Sequence, residues 1–477
     1  MGTVNNTSSD SLKSSMPQKY TIQRQKKEGP CHSAVRSNEI LMGTHPVFVS
    51  RLQLLNLLRK KSYLVCAKIR EQKYNMKTSL VLFTVLLSLQ VASQARLNSW
   101  MDSAKAEFKK EFEAQDYSRS KLYLDSVLAL QPDHVEAHYY LGYTYSRLNA
   151  KDGAQMYETL RSGTERCSAE FETVIRLQSH YEGEIVVLDP YCKITSEWGS
   201  LASAYERKNQ IDSARWAYAQ GKKRGGFSDF FLALGRQTLD ACKKNAILIT
   251  SGDMYTFPLW YLQRMENYRK DIALVDISLI NAKWYPAFLQ EKKVVDFGLP
   301  PTTLDTIDYC QWESQWVKAG ALNWKLPAMY YENYLLRGDR LVLSLLRQNA
   351  FKRAVYFTVA FPPESQLNLK DHLWQGILVD QLRPEKGEAL PPAVFQQRLK
   401  SLMNLISLIN RNSDDERRTF DNFRYDVFIR AAEYRETKAS SDRRLLVELY
   451  ESLAADKFLP FLTKEGKTYE EEMLREE

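Results

Sequence analysis

Glycine and proline are sparse in this 477-residue chain, at 19 and 16 residues, which excludes a collagen-like or low-complexity disordered protein. Cysteine is scarcer still. Of six, four follow residue 95, and no two are spaced Cys-x-x-Cys, so neither a zinc knuckle nor a thioredoxin-type pair is supported. Charge of one sign is missing from most of the chain. Residues 1–75 hold 13 of the 66 Lys and Arg and 4 of the 58 Asp and Glu, a net of +9. The other 402 residues carry 53 basic against 54 acidic groups, so they offer no overall basic face for nucleic acid. A phosphate loop, a nucleophile elbow, a His–acid pair and a His-Glu-x-x-His motif are also missing. What is present is apolar material, 44% of the residues, enough for two or three domains with real cores.

One apolar run stands out. Residues 76–95 read MKTSLVLFTVLLSLQVASQA: Lys77 after Met76, about 14 mostly apolar residues from Leu80, then Ser93 and Ala95 at the small-residue positions of a cleavage site. That is the order of a secretory signal peptide, and the run is shorter than the ~20 residues a spanning helix needs. No Cys follows it, which argues against a lipoprotein anchor. Residues 1–75 are basic, polar and aperiodic. They are either an unstructured leader ahead of a true start at Met76 or a cytoplasmic tail before a signal anchor. With cleavage, residues 96–477 form an exported chain with no stable membrane span, periplasmic or otherwise in the cell envelope. Export permits disulfides, and Cys167, Cys192, Cys242 and Cys310 allow three pairings. Cys167–Cys192, bracketing one insertion, is the favoured bridge, with free buried thiols as the alternative.

Residues 96–225 carry an internal pattern. His138-x-x-Leu141-Gly142-x-x-Tyr145 is followed nine residues on by Ala154; Trp198-x-x-Leu201-Ala202-x-x-Tyr205 is followed nine on by Ala214. Tyr117, Ser120, Leu124 and Val127, leading to Pro132, read as the second helix of an earlier unit. The pattern resembles the tetratricopeptide repeat. Two units abut at a 34-residue period, and about 26 residues, including the extended-looking Glu184–Leu188, are inserted before the third. Repeat stacks present a concave groove to a protein or peptide, and Tyr139 and Tyr143 are the candidate groove residues. His134 and His138 have a metal-compatible spacing but sit on the repeat's structural positions, so no metal is assigned.

Between 240 and 385 the period changes. Ala246–Thr250 and Ile272–Ile277 are apolar runs separated by a helical stretch from Pro258, a βαβ unit. Ala354–Val359 and Gly376–Val379 supply further strands of a mostly parallel sheet, with a helix over Arg340–Gln348. Ligands of such sheets sit outside the carboxyl ends of the strands, which singles out Ser251, Gly252, Asp253, Thr256 and Asn281. Asp253 reads as a cation ligand, sugar acceptor or base, or more plainly as a helix-start residue. Eight of nine Trp lie between residues 198 and 374, which brings glycan stacking into view; Trp312 and Trp316 are spaced as one helical face. Residues 390–477 are charged and helical, with Phe420, Phe423, Val427, Phe428 and Ala431, then Leu446, Leu449, Tyr450 and Leu453, at helical spacing, a C-terminal cap.

The stretches Asn245–Gln263, Val275–Asn281, Lys352–Phe357 and Gly376–Pro384 resemble, in the same order, the soluble C-terminal region of bacterial membrane proteins related to protein O-mannosyltransferases. The resemblance implies an envelope location and no nameable activity. That family usually reads Gly-Asp-Asn-Asp-Thr where this chain has Met254 and Tyr255 in place of the Asn and second Asp. The multi-span part that would carry transferase catalysis has no counterpart here. The expected architecture is a tetratricopeptide-like helical module, an α/β domain and a helical cap. The expected role is a non-catalytic scaffold or adaptor for a protein or peptide partner in the envelope, without a cofactor. The alternative is a glycan-acting enzyme or glycan-binding protein using the site around Asp253.

Overall fold

A computed structural model describes the backbone of residues 51–477 apart from 151, 330–332, 359–360, 362–364, 377, 388–390, 437–442, 445–446, 449, 452–459 and 476–477, with side chains from residue 80 except also 375, 392, 396, 398–399, 426–436 and 473. The leader 1–50 and the cap residues Leu446, Leu449 and Leu453 lie outside the described residues. The chain divides into two units, residues 1–85 and 86–477. A helical first half is followed by a mixed sheet region and a helical C-terminus.

The first helix, α1 (Arg51–Phe108), runs without a break through the apolar segment. From Leu80 to Val91 its large apolar side chains are exposed all round the helix, a surface that suits a signal sequence or a membrane rather than water. After Arg96 the character changes. Leu97, Met101 and Ala104, at helical spacing, are buried, and Phe108 meets Tyr140 edge-on and Tyr117 at a tilt.

Five further helices stack in chain order: α2 (Tyr117–Leu130), α3 (Val135–Asn149), α4 (Arg161–Leu177), α5 (Pro190–Arg207) and α6 (Ile211–Lys223). Close approach of α3 to α4 requires Gly142, where an added Cβ would lie 2.8 Å from the Phe171 ring. Ala154 is not on a second helix of this pair. Asp152 caps Ala154 and Gln155 into a 3₁₀ turn, Gly153–Glu158, and the helix begins only at Arg161. Glu184–Leu188 joins no sheet; it crosses the stack as irregular chain. All four of Cys167, Cys192, Cys242 and Cys310 are free thiols, so the Cys167–Cys192 bridge is not made.

Helix α7 (Asp229–Asp240) leads into β1 (Ile247–Thr250), α8 (Asp253–Met265) and β2 (Ala273–Asp276). Gly252, at φ +83°, breaks the strand and lets α8 start five residues before Pro258, which therefore lies inside the helix rather than at its start. Then come α9 (Trp284–Glu291), α10 (Pro301–Thr306), the short strands β3 (Cys310–Gln311), β4 (Gln315–Ala319), β5 (Leu322–Leu326) and β6 (Tyr334–Leu335), α11 (Arg337–Asn349), and β7 (Val355–Thr358), β8 (Leu373–Gln375) and β9 (Val379–Leu382). The main sheet has the order β2-β1-β7-β9-β8. It is mixed, not mostly parallel: β1 is parallel to β2 and β7, whereas β9 is antiparallel to both β7 and β8. Every residue of β1, β2 and β7 is buried, as continuous apolar strands covered on both faces require. Trp312 and Trp316 sit beside and on β4 rather than on a helix; β4 and β5 pair as a hairpin whose inward residues alternate.

Helices α12 (Pro392–Ile406) and α13 (Asp414–Glu436), with a last helix Lys464–Leu474, complete the chain. Phe420 and Phe423 of α13 join Leu402, Leu405, Phe230, Phe231 and Met254 in a second apolar cluster.

Helix α5 is the hub, with thirteen of its 18 residues buried. Its Lys193 ammonium lies 2.5 Å from Glu197 and donates to the Ser146 hydroxyl of α3 at 2.9 Å. A buried pair of this kind is costly to break from one side. Lys193→Met is expected to lower unfolding free energy by about 3 kcal/mol, and Lys193→Met with Glu197→Leu to recover most of that loss, as read from urea unfolding.

Candidate functional site

The carboxyl ends of β1 and β2 place Ser251, Gly252, Asp253 and Thr256 together with Asp276, a residue the sequence reading left out. Ser251 and Gly252 make the turn. Asp253, first residue of α8, accepts from the Ser196 hydroxyl of α5 at 2.5 Å, its one hydrogen-bond partner among the described residues. Thr256 shares a 2.7 Å hydroxyl contact with Thr250 and donates to Asp276 Oδ2 at 2.5 Å. Asp276 Oδ1 accepts from the Leu279 amide at 2.8 Å, and the Asp276 amide donates to the Tyr285 hydroxyl at 3.1 Å. Burial pushes the Asp276 carboxyl up to about 6, against the hydrogen bonds from Thr256 and Leu279 and with the help of nearby Asp253. Asn281 serves a different element. Its side chain accepts from the Gly338 amide at 2.8 Å and so caps α11.

This edge is therefore covered by helix. An added Cβ at Gly199 of α5 would lie 2.5 Å from Phe257 of α8, a direct contact between the two modules. Met254 and Tyr255 pack into the cluster that seats α12 and α13.

Tyr139 and Tyr143 do not line a groove. Both rings are buried, at 0% and 1% exposure, within a nest that includes Phe171 and Tyr181. Their hydroxyls donate to the Leu188 carbonyl at 2.8 and 3.0 Å and accept from the amides of Val186 and Leu188 at 2.9 and 2.6 Å. They thus satisfy the backbone of the irregular crossing, which has no sheet partner of its own. His134 caps α3 through the Ala137 amide at 3.1 Å, and His138 is clamped between Glu170 at 2.6 Å and the Pro132 carbonyl at 2.7 Å. Both histidines are structural.

A cluster unseen in the sequence joins Asp189, Cys192 and Asp415, whose donor atoms lie within 4.8 Å of one another. Asp189 caps α5: Oδ1 accepts from the Cys192 amide at 2.9 Å, and Oδ2 from the Ser413 hydroxyl at 2.5 Å and the Asp415 amide at 2.9 Å. Asp415 answers, with Oδ2 accepting from the Asp189 amide at 2.5 Å and Oδ1 from Arg418 at 2.8 Å. Two helix N-termini therefore face each other across a shared pair of carboxylates, which their dipoles favour. Burial raises both acids, and burial drives the Cys192 thiol well above its ordinary value. The oxygens already serve the caps. The arrangement is a clasp between α5 and α13.

Glu416 sits beside it, accepting from the Asn410 amide at 2.7 Å. Burial pushes its carboxyl up to about 7, against the bonds from Ser228 and Asn410. An unfolded glutamate titrates near 4.5, so folding takes up a proton between about 4.5 and 7. Glu416 thus adds stability that is complete below about 4.5 and lost as pH rises through about 7. Glu416→Gln is expected to raise Tm by a few degrees at pH 8 and to flatten the fall in Tm between pH 5 and 8; a melting series across that range reads both.

Residues 232–321, from within α7 to the turn after β4, match the family described as TMEM260-associated domain 2. The match covers ninety of the 477 residues and marks a membrane-protein-related domain. No curated protein matches the chain.

Proposed function

We propose that this chain is an exported, non-catalytic scaffold of the bacterial cell envelope, periplasmic in its folded part. The observation that carries the reading is the engagement of Asp253, Thr256 and Asn281 at the strand ends within the fold. Asp253 holds Ser196, Thr256 and Asp276 hold each other, and Asn281 holds α11. General acid–base work needs a titratable pair open to substrate, and these carboxylates are engaged in the fold. The matched membrane-protein-related domain and the exposed apolar face of α1 support an envelope location.

Helices α2 to α6 are in this reading tetratricopeptide-like. The small residues Gly142, Ala202 and Ala214 fall where the repeat needs close approach, and Trp198, at the repeat's large position, is fully buried. The domain from residue 240 is the counterpart of the soluble region of protein O-mannosyltransferase-related proteins. Because Tyr139 and Tyr143 are spent on the crossing, the partner surface lies elsewhere on the module, where Leu122 and Leu160 are 68% and 60% exposed. A glycan-binding reading retains one feature, Trp316, a ring 67% exposed on β4.

The test is co-precipitation from envelope extract with the full chain, beside Asp253→Asn and Leu122→Glu/Leu160→Glu, read by mass spectrometry of proteins and glycans. A protein partner retained by Asp253→Asn and lost from the leucine variant is the expected result. Glycan captured by the unaltered chain and lost from Asp253→Asn would overturn the scaffold reading.

A further inference from the structure

The open volume beside the main sheet is at the opposite edge from the residues just described. A cavity of about 350 Å³ lies where α5 ends, between α8, the start of β2 and α9. A second, about 560 Å³, opens beside α11 and shares Lys293, Val294 and Arg353 with it. Both volumes are in the range of small-molecule sites, which favour such junctions between modules.

The lining is unevenly charged. Six basic residues (Arg264, Lys270, Lys292, Lys293, Lys352 and Arg353) meet three acids. Each acid is already engaged: Glu206 with Arg264 at 2.8 Å, Asp271 with Arg269 at 2.9 Å, and Asp296 with the Gln348 amide at 2.7 Å. Among the described residues no carboxylate pairs with Lys270, Lys293, Lys352 or Arg353. A sequence that is near-neutral beyond residue 75 has therefore gathered unpaired positive charge around one concavity, where field lines focus.

Arg353 is the most telling of these. It is half-buried, yet its partners are backbone carbonyls: Nε to Asn245 at 2.8 Å, Nη1 to Val294 at 2.9 Å and Nη2 to Ala246 at 3.0 Å. A guanidinium has five N–H donors, so two remain beyond these three bonds. Burial alone acts on it, lowering its pKa with no negative charge to offset the cost. Lys293, on the rim of both cavities, is held in place by the left-handed cap that ends α9 (φ +55°), its amide bonded to the Gln290 carbonyl at 3.1 Å and that of Val294 to Leu289 at 2.9 Å. Trp260, Tyr285 and Phe288 supply an apolar wall.

We propose that this cleft, at the amino-terminal edge of the sheet, binds a phosphate-bearing anion: Arg353 and Lys293 take the phosphate oxygens, and Lys270 and Lys352 surround them. Fixed guanidinium donors and mobile ammonium groups suit phosphate oxygens, and the aromatic wall suits an organic portion next to them. The positive lining disfavours a metal cation. The site is independent of the scaffold reading, since neither Asp253 nor the leucines belong to it.

The test is isothermal titration of inorganic pyrophosphate into the full chain in dodecyl maltoside, beside Lys293→Gln/Lys352→Gln. These two lysines are exposed, so the double variant should keep the unliganded Tm. Saturable binding weakened at least tenfold in the variant is expected. Binding that the variant retains in full, or no saturable binding, would overturn the proposal. Repeating the titration with glycerol 3-phosphate and with phosphatidylglycerol in mixed micelles separates a soluble ester from a lipid headgroup. The apolar helix holds micelles by itself, so only the difference between the unaltered chain and the variant counts in the lipid arm.

Discussion

Almost everything in the folded part depends on α5 being a helix buried on nearly all sides. A helix in that position cannot leave its polar groups to water, and each must find a partner on a different neighbour. Lys193 and Glu197 turn to Ser146 of α3, Trp198 donates to Ser168 of α4 at 3.0 Å, and Thr195 accepts from the Phe227 amide at 2.7 Å. Ser196 reaches the start of α8, and Asp189 clasps α13. Five elements far apart in sequence are thereby held to one another through a single helix. The same demand explains Gly199, where only the lack of a side chain lets α8 come close enough.

This constraint decides which edge of the sheet is available. Helix α5 and the clasp to α13 close the carboxyl edge, where an α/β sheet would ordinarily keep its ligand. Asp276 is buried there with its oxygens bonded, and Met254 has become a core residue for the C-terminal helices. The amino edge is left open, and it is there that basic residues outnumber acids, six to three. The buried carboxyl edge and the cleft at the other edge are thus two consequences of one packing solution.

Much of the local structure could be read from the sequence. The β1–α8–β2 unit and the second helix ending before Pro132 follow from apolar period and proline placement. Reading failed where a local pattern had a second physical solution. Ala154 has repeat spacing, but Asp152 captures the following amides and makes a turn. The apolar run Ala354–Val359 marks β7 as a buried strand but carries no information on direction, and the expected strand Gly376–Val379 meets β9 only at Val379, so the antiparallel half of the sheet was not seen. The β4–β5 hairpin was legible in its alternation, with Val317, Ala319, Leu322, Trp324 and Leu326 inward, and was missed because its tryptophans were counted at helical spacing. Tyr139 and Tyr143 looked like groove residues because nothing in the chain announces that Val186 and Leu188 will need their hydroxyls. The clasp joins residues 226 apart, and no spacing rule reaches that far.

The central claim is that the helical module, the sheet and the C-terminal helices form one cooperative body through α5. Hydrogen exchange by mass spectrometry on the full chain, with and without Asp189→Asn, tests it most directly. The account predicts that peptides from α5, β1 and the start of α13 lose protection together in the variant. Loss confined to α13, with β1 and α5 exchanging as in the unaltered chain, would contradict it.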